Sequence, residues 1–360
     1  MPSTSAPDRP NTSRQGSLTE MFESVTPYER NSKRHGEITR AITEFIAKDM
    51  MPLSTVTKPG FVALTYTLDK RYNIPSRTYF SQTAIPELYK KCKEKVAAEV
   101  KTVEFFASTT DMWSSRTAEP YQSLTVHFID EDFNLRARCL QTTYFPDDHT
   151  GENIAAGREG LASWDLHEEN HVCITRDNAD SLGDPNIQEL LDVACFLDPR
   201  FKIQYISTDN IPAIKTRLKT EMVDLAQRTY HREKRSRTET VQMPQSAQPL
   251  GEKAKRSLGS FFKTSAASPS LPVEDVAEAE LNNYLMTPTI DGEDDPLAWW
   301  RVHKISYPQL CIMARKYLCV PATSAPSERL FSTGGNIVTC TRSSLKPEKV
   351  NILVFLAKNL

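Results

Sequence analysis

At 360 residues with a net charge of −2, the chain is long enough for two domains and is not a uniformly basic nucleic-acid wrapper, so any nucleic-acid contact has to come from a local patch. Its seven cysteines are scattered, odd in number and never arranged as Cys-x-x-Cys, which argues for reduced thiols and against a disulfide framework or a zinc site of local pairs. No apolar run reaches the roughly 18 residues of a membrane span, the N-terminus lacks a signal-peptide core, and no Walker or Gly-x-Gly-x-x-Gly pattern is present.

Residues 1–16, mostly Ser, Thr, Pro, Asn and Arg, read as a disordered leader. A helix is predicted over 36–51, with Ile38, Ile42, Phe45 and Ile46 on one stripe and Pro52 as its stop. A second covers 59–70, with Phe61, Leu64 and Leu68 inward. A third covers 84–100, capped by Thr83 with Pro86 in its first turn. Lys33, Arg34, His35, Lys70, Arg71, Arg77, Lys90, Lys91, Lys93 and Lys95 cluster here, either as a solvated face or as a phosphate-contacting surface.

From Val103 the period changes to two. Strands are predicted at 104–110, at 121–130 with Leu124, Val126 and Phe128 on one face, and at 135–145, the latter two joined by the turn 130–134. A helix capped by Thr150 carries Ile154, Gly157, Leu161 and Trp164, and a fourth strand runs 171–176. Residues 203–228 read as helical. Residues 229–280 read as a disordered linker containing the basic clusters 231–237 and 253–256, which suit either a nuclear localisation signal or a solubilising run.

The last stretch holds Asp294-Asp295-Pro296-Leu297-Ala298-Trp299-Trp300, then a helical stripe of Leu310, Met313, Ala314, Tyr317 and Leu318. Pro321-Ala322-Thr323-Ser324-Ala325-Pro326-Ser327-Glu328-Arg329-Leu330-Phe331-Ser332, a Gly334-Gly335 break, Arg342 and a terminal helix with Val350, Leu353, Val354 and Ala357 complete it. These wordings resemble the C-terminal dimerisation region of the hAT superfamily of DNA transposases, and more narrowly a zinc finger BED domain-containing protein.

The resemblance implies an α/β chain: an incomplete RNase H-like core (102–228) with a helical N-terminal region (17–101) for DNA and a helical C-terminal hAT dimerisation region (281–360). Three strands, a helix and a fourth strand fit that core independently. In the family a zinc finger precedes the helical region. No cysteine lies before Cys92, so that finger is expected to be missing, and sequence-specific DNA reading with it. Family members also carry a large helical insertion after the fourth strand, whereas Asp180 here runs almost directly into Leu197-Asp198-Pro199-Arg200-Phe201-Lys202. The core is therefore expected to be truncated.

Two-metal nucleases gather carboxylates so that two divalent ions sit about 3.5–4 Å apart, and hard oxygen ligands suit Mg²⁺. Asp111 and Asp177 each end a strand, and the resemblance makes them, with Glu328, the catalytic and metal-binding triad. By spacing alone, Asp111 fits a turn after a strand, Asp177 an Asx-turn, and Glu328 the first turn of a helix. With the core interrupted, catalysis is expected to be lost. The expected dimer interface is Trp299, Trp300, Leu310, Met313, Tyr317, Leu318, Phe331, Leu353 and Phe355, facing a partner or the chain's own core. The partner is a second copy or a related hAT-type protein, with DNA as a further partner, no membrane, and the nucleus as location. Two rivals remain: an active Mg²⁺-dependent strand-transfer nuclease, and a fragment in which only the C-terminal unit folds.

Overall fold

The computed structural model describes residues 26–114, 119–144, 159–175, 185–239, 272–321 and 345–360, with backbone alone at 111–113, 185 and 232–239. At its centre is a four-stranded mixed sheet of order β3-β2-β1-β4. The strands are β1 (Phe106–Ser114), β2 (Pro120–Ile129), β3 (Leu135–Tyr144) and β4 (His171–Thr175). β1 and β3 each pair antiparallel with β2, and β4 pairs parallel with β1. This is the order expected of three meandering strands followed by a crossover.

Helices cover both faces of the sheet. On one side lie α1 (Lys33–Lys48), α2 (Pro59–Leu68), α3 (Ile85–Val100) and the terminal α9 (Pro347–Asn359). On the other lie α4 (Pro185–Leu197), α5 (Ile211–Glu239), α6 (Val273–Met286), α7 (Pro296–His303) and α8 (Pro308–Tyr317). The first core includes Ile46, Phe80, Val96, Leu124, Leu140 and Phe355. The second includes Phe196, Leu218, Tyr284, Trp300, Leu310 and Met313. Because both faces are covered, β2 is buried along nearly its whole length and not on alternate residues. Leu124, Val126 and Phe128 do share the first core as expected, but the alternating Ser123, Thr125 and His127 are equally hidden.

Local chemistry explains most element starts. Ser32 caps α1 by accepting from His35 N, and Asp295 caps α7 by accepting from Leu297 N. Pro59, Pro296, Pro308 and Pro347 begin helices, where a missing N–H costs nothing. Several expectations shift. Ser76, not Thr83, caps the helical run leading into α3, because the chain is already helical from Arg77 through a π-turn at Phe80–Ala84. On α2 the buried residue is Thr65, while Leu64 and Leu68 are exposed, since only one narrow side of this helix meets the core. Residues 203–210 form turns before α5 begins. The expected linker is helical at both ends, through Glu239 in α5 and from Val273 in α6. There α5 and α6 pack together, and Lys219 meets Glu278 at 2.6 Å. Ile154 and Gly157 lie outside the described residues, whereas Leu161 and Trp164 are buried in the first core.

Candidate functional site

Of the carboxylate positions, Asp111 lies on β1, and Asp177 comes after β4 in sequence. Thr109 and Thr175 are register partners in the parallel pair, and Asp111 and Asp177 each follow two residues later in sequence. Asp111 is on β1 opposite Ser123. Asp177 and Glu328 lie outside the described residues, as does the side chain of Asp111. Among the described residues, no three His, Cys, Asp or Glu side chains gather as a metal site. The described side chains therefore do not make a site that fits Mg²⁺.

A polar layer that sequence reasoning missed lies in the sheet itself. His171 Nε2 is 2.8 Å from Ser108 Oγ, His127 Nε2 is 3.1 Å from Thr109 Oγ1, and Gln122 Nε2 donates to Thr110 Oγ1 at 3.1 Å. Burial lowers the His127 pKa from 6.5 to about 4, so this ring is neutral near pH 7. The signal available was the run Ser108-Thr109-Thr110 within a strand, whose hydroxyls need partners once both sheet faces are covered.

The C-terminal region is bound into both cores. Trp300 is fully buried, donates Nε1 to Leu197 O at 2.9 Å and stacks on Tyr284 at 5.2 Å. Tyr284 in turn donates to Phe196 O. Lys202 is 3 % exposed and donates to Tyr284 O, Thr287 O and Thr287 Oγ1, closing the C-terminal end of α6. Burial lowers its pKa to about 8. Glu280 on α6 accepts from Leu310 N at 2.7 Å and so caps α8 from a neighbouring helix; burial raises its pKa to about 6. Tyr317 donates to Glu221, which also holds Lys316 and Arg217. On the other side of the sheet, Phe355 of α9 packs between Tyr89 and Trp164.

Of the expected interface, Trp300, Leu310, Met313, Tyr317, Leu353 and Phe355 are inside the chain's own cores and present almost no surface to a partner. Trp299 and Leu318 are half-buried against the second core, and Phe331 lies outside the described residues.

The N-terminal cations are partly committed as well. Arg34 faces Glu37 and Asp69, Arg71 donates to Thr26 O and lies over the Tyr28 ring, Lys93 lies over Trp164, and His35 is buried against Thr39 and Asn73. A groove of about 550 Å³ between α1 and α3 is lined by Arg30, Arg40, Lys48, Lys91 and Lys95, with Glu44 and Glu87 among them. Glu44 takes Arg40 at 2.8 Å and Lys48 at 4.0 Å, which leaves Arg30, Lys91 and Lys95 as the cations best placed for a polyanion.

Residues 109–198 match the ZBED1 RNase-like domain, and residues 280–360 match the hAT family C-terminal dimerisation region. The chain is homologous to the zinc finger BED proteins and to AC transposases, at modest identity. It is 31% identical over 172 residues to zinc finger BED domain-containing protein 4 of Homo sapiens, covering 44% of this chain and 15% of that protein. With zinc finger BED domain-containing protein 6 of Mus musculus the values are 26% over 196 residues, 52% and 18%. With an AC transposase of Zea mays they are 29% over 130 residues, 36% and 16%. The chain thus spans less than a fifth of the length of each of these relatives. Among the described residues, no helix is long and apolar enough to cross a membrane.

Proposed function

We propose that this chain is a non-catalytic, transposase-derived nuclear protein that self-associates through its C-terminal region and contacts DNA through its N-terminal helices. The observation that carries the reading is the match of residues 280–360 to the hAT dimerisation region. The non-catalytic part is supported by the short connection between β4 and α4. Only nine residues (176–184) separate Thr175 from Pro185, where the family carries a large insertion. The DNA part is supported by the Arg30, Lys91 and Lys95 side of the α1–α3 groove, and the nuclear part by the basic run 231–237.

Light scattering on the full chain tests self-association, with a dimer expected and a monomer refuting it. The full chain is needed because α9 buries Val350, Val354, Phe355 and Leu356 against N-terminal helices and the sheet, each side chain contributing about 1.5–3 kcal/mol. A fragment beginning at α7 would expose that face. For DNA, Lys91→Ala with Lys95→Ala should weaken duplex binding uniformly across sequences and lower the salt slope by about two. An unchanged slope places the contact elsewhere.

A second reading, a Mg²⁺-dependent strand-transfer nuclease using Asp111, Asp177 and Glu328, is favoured by the Thr109–Thr175 register. Mg²⁺-dependent nicking that vanishes in Asp111→Asn would establish it. Nicking that persists in that variant belongs to another site or protein.

A further inference from the structure

Six of the nine residues expected to face a partner are buried in the chain's own cores, so a dimer that uses the described residues needs another face. Within residues 280–360, three large apolar side chains stand almost fully in solvent: Met286 at 83%, Val302 at 76% and Ile305 at 88% exposure. No other large hydrophobic residue described in the chain is as exposed as Met286 or Ile305. Val302 is on the outer side of α7, and Ile305 follows three residues later, after an αR residue at Lys304. The two therefore continue one stripe, one turn apart. Trp300, on the same helix, faces the core with no exposed surface. Exposed side chains of this kind, in a segment matched to a dimerisation region, are available to a partner.

The charge around the stripe is self-complementary. The turn entering α7 holds exposed Glu293 and Asp294, and its exit holds exposed Arg301 and Lys304. Over eight residues, about 12 Å of helix, the surface runs from acidic to basic. Two copies packed antiparallel across a two-fold axis lay the stripe on its own image and turn the acidic end of each toward the basic end of the other. Parallel packing would set like charges together. An isologous contact needs this kind of self-matching surface.

We infer that the outer face of α7, centred on Val302 and Ile305, is where a second copy of this chain docks. The inference rests on the self-association reading above and assigns it a surface.

The test is light scattering and sedimentation on the full chain. Val302→Glu with Ile305→Glu should weaken self-association by at least about tenfold, or about 1.4 kcal/mol, while circular dichroism and melting temperature stay as in wild type, because neither side chain contributes to a core. Arg301→Glu with Lys304→Glu should weaken it too. So should Glu293→Lys with Asp294→Lys, and an equimolar mixture of these two charge variants should recover dimer. A wild-type dimer that survives the Val302/Ile305 substitutions overturns this surface while leaving C-terminal self-association standing. A wild-type chain that is monomeric throughout overturns both. Charge variants that stay monomeric when mixed overturn the antiparallel arrangement.

Discussion

Asn359 donates from Nδ2 to the carbonyl of Cys139 at 2.7 Å, tying the last turn of α9 to the edge strand β3. Two turns earlier on the same helix, Asn351 Oδ1 accepts from Thr142 N at 2.9 Å. β3 is the outer strand of the sheet, and the register between it and β2 shifts around Leu140, so its backbone groups need partners from elsewhere. The terminal helix supplies them. Asn359→Ala should therefore lower stability by about 1–3 kcal/mol, the cost of an unpaired buried carbonyl, read as a lower denaturation midpoint. A change within a few tenths would mean that water replaces the amide.

Glu280 gives stability an unusual slope with pH. Its pKa is raised from 4.5 to about 6, chiefly by burial, so the folded chain holds that proton more tightly than the unfolded one. The stabilisation is complete below pH 4.5 and is lost as pH rises through about 6, to a limit of about 2 kcal/mol. In Glu280→Gln the cap to Leu310 N is kept without the titration. Denaturation series from pH 4 to 7 should show wild type losing stability relative to the variant across that window. Parallel curves would mean that the carboxylate is solvated.

His127 acts in the opposite direction. Its folded pKa of about 4 lies below the ordinary 6.5, so the unfolded chain binds the proton first as pH falls. The stability it contributes is present above pH 6.5 and is lost down to about pH 4, to a limit of about 3 kcal/mol. His127→Gln should flatten the acid limb of the stability curve. If the acid limb is unchanged, another group drives acid unfolding.

Trp300→Ala separates core from interface. Removing a fully buried tryptophan and its bond to Leu197 O should cost about 3–5 kcal/mol. Thermal melting should drop sharply and to the same extent at every protein concentration. A loss of stability that disappears at high concentration would instead place Trp300 at a contact between copies.

The sequence-level reading was most reliable where the cause is local. The four strands emerge within a few residues of their observed ends because period-two runs bounded by turns leave little alternative. The helix start at Pro59 follows from proline's fixed φ. Asp111 could be put on the first strand in the same way. That β4 neighbours this strand followed only from the RNase H-like resemblance, because strand neighbours are chosen by long-range pairing.

The amphipathic stripes of the C-terminal helices state only that a face must be hidden. Nothing within those stripes says whether a partner, the sheet or a distant helix hides it. Leu310, Met313 and Tyr317 are covered by α4, α5 and α6, and Leu353 and Phe355 by helices at the other end of the chain. α2 shows the converse, with apolar residues left outside because the core touches only one side of it. What the sequence determined by itself was the type of most elements, the two matched segments and the local acidic and basic turns of α7. The tertiary structure alone decided which apolar faces were consumed internally, because burial is a property of whatever surface arrives opposite, and it thereby left Val302 and Ile305 facing outward.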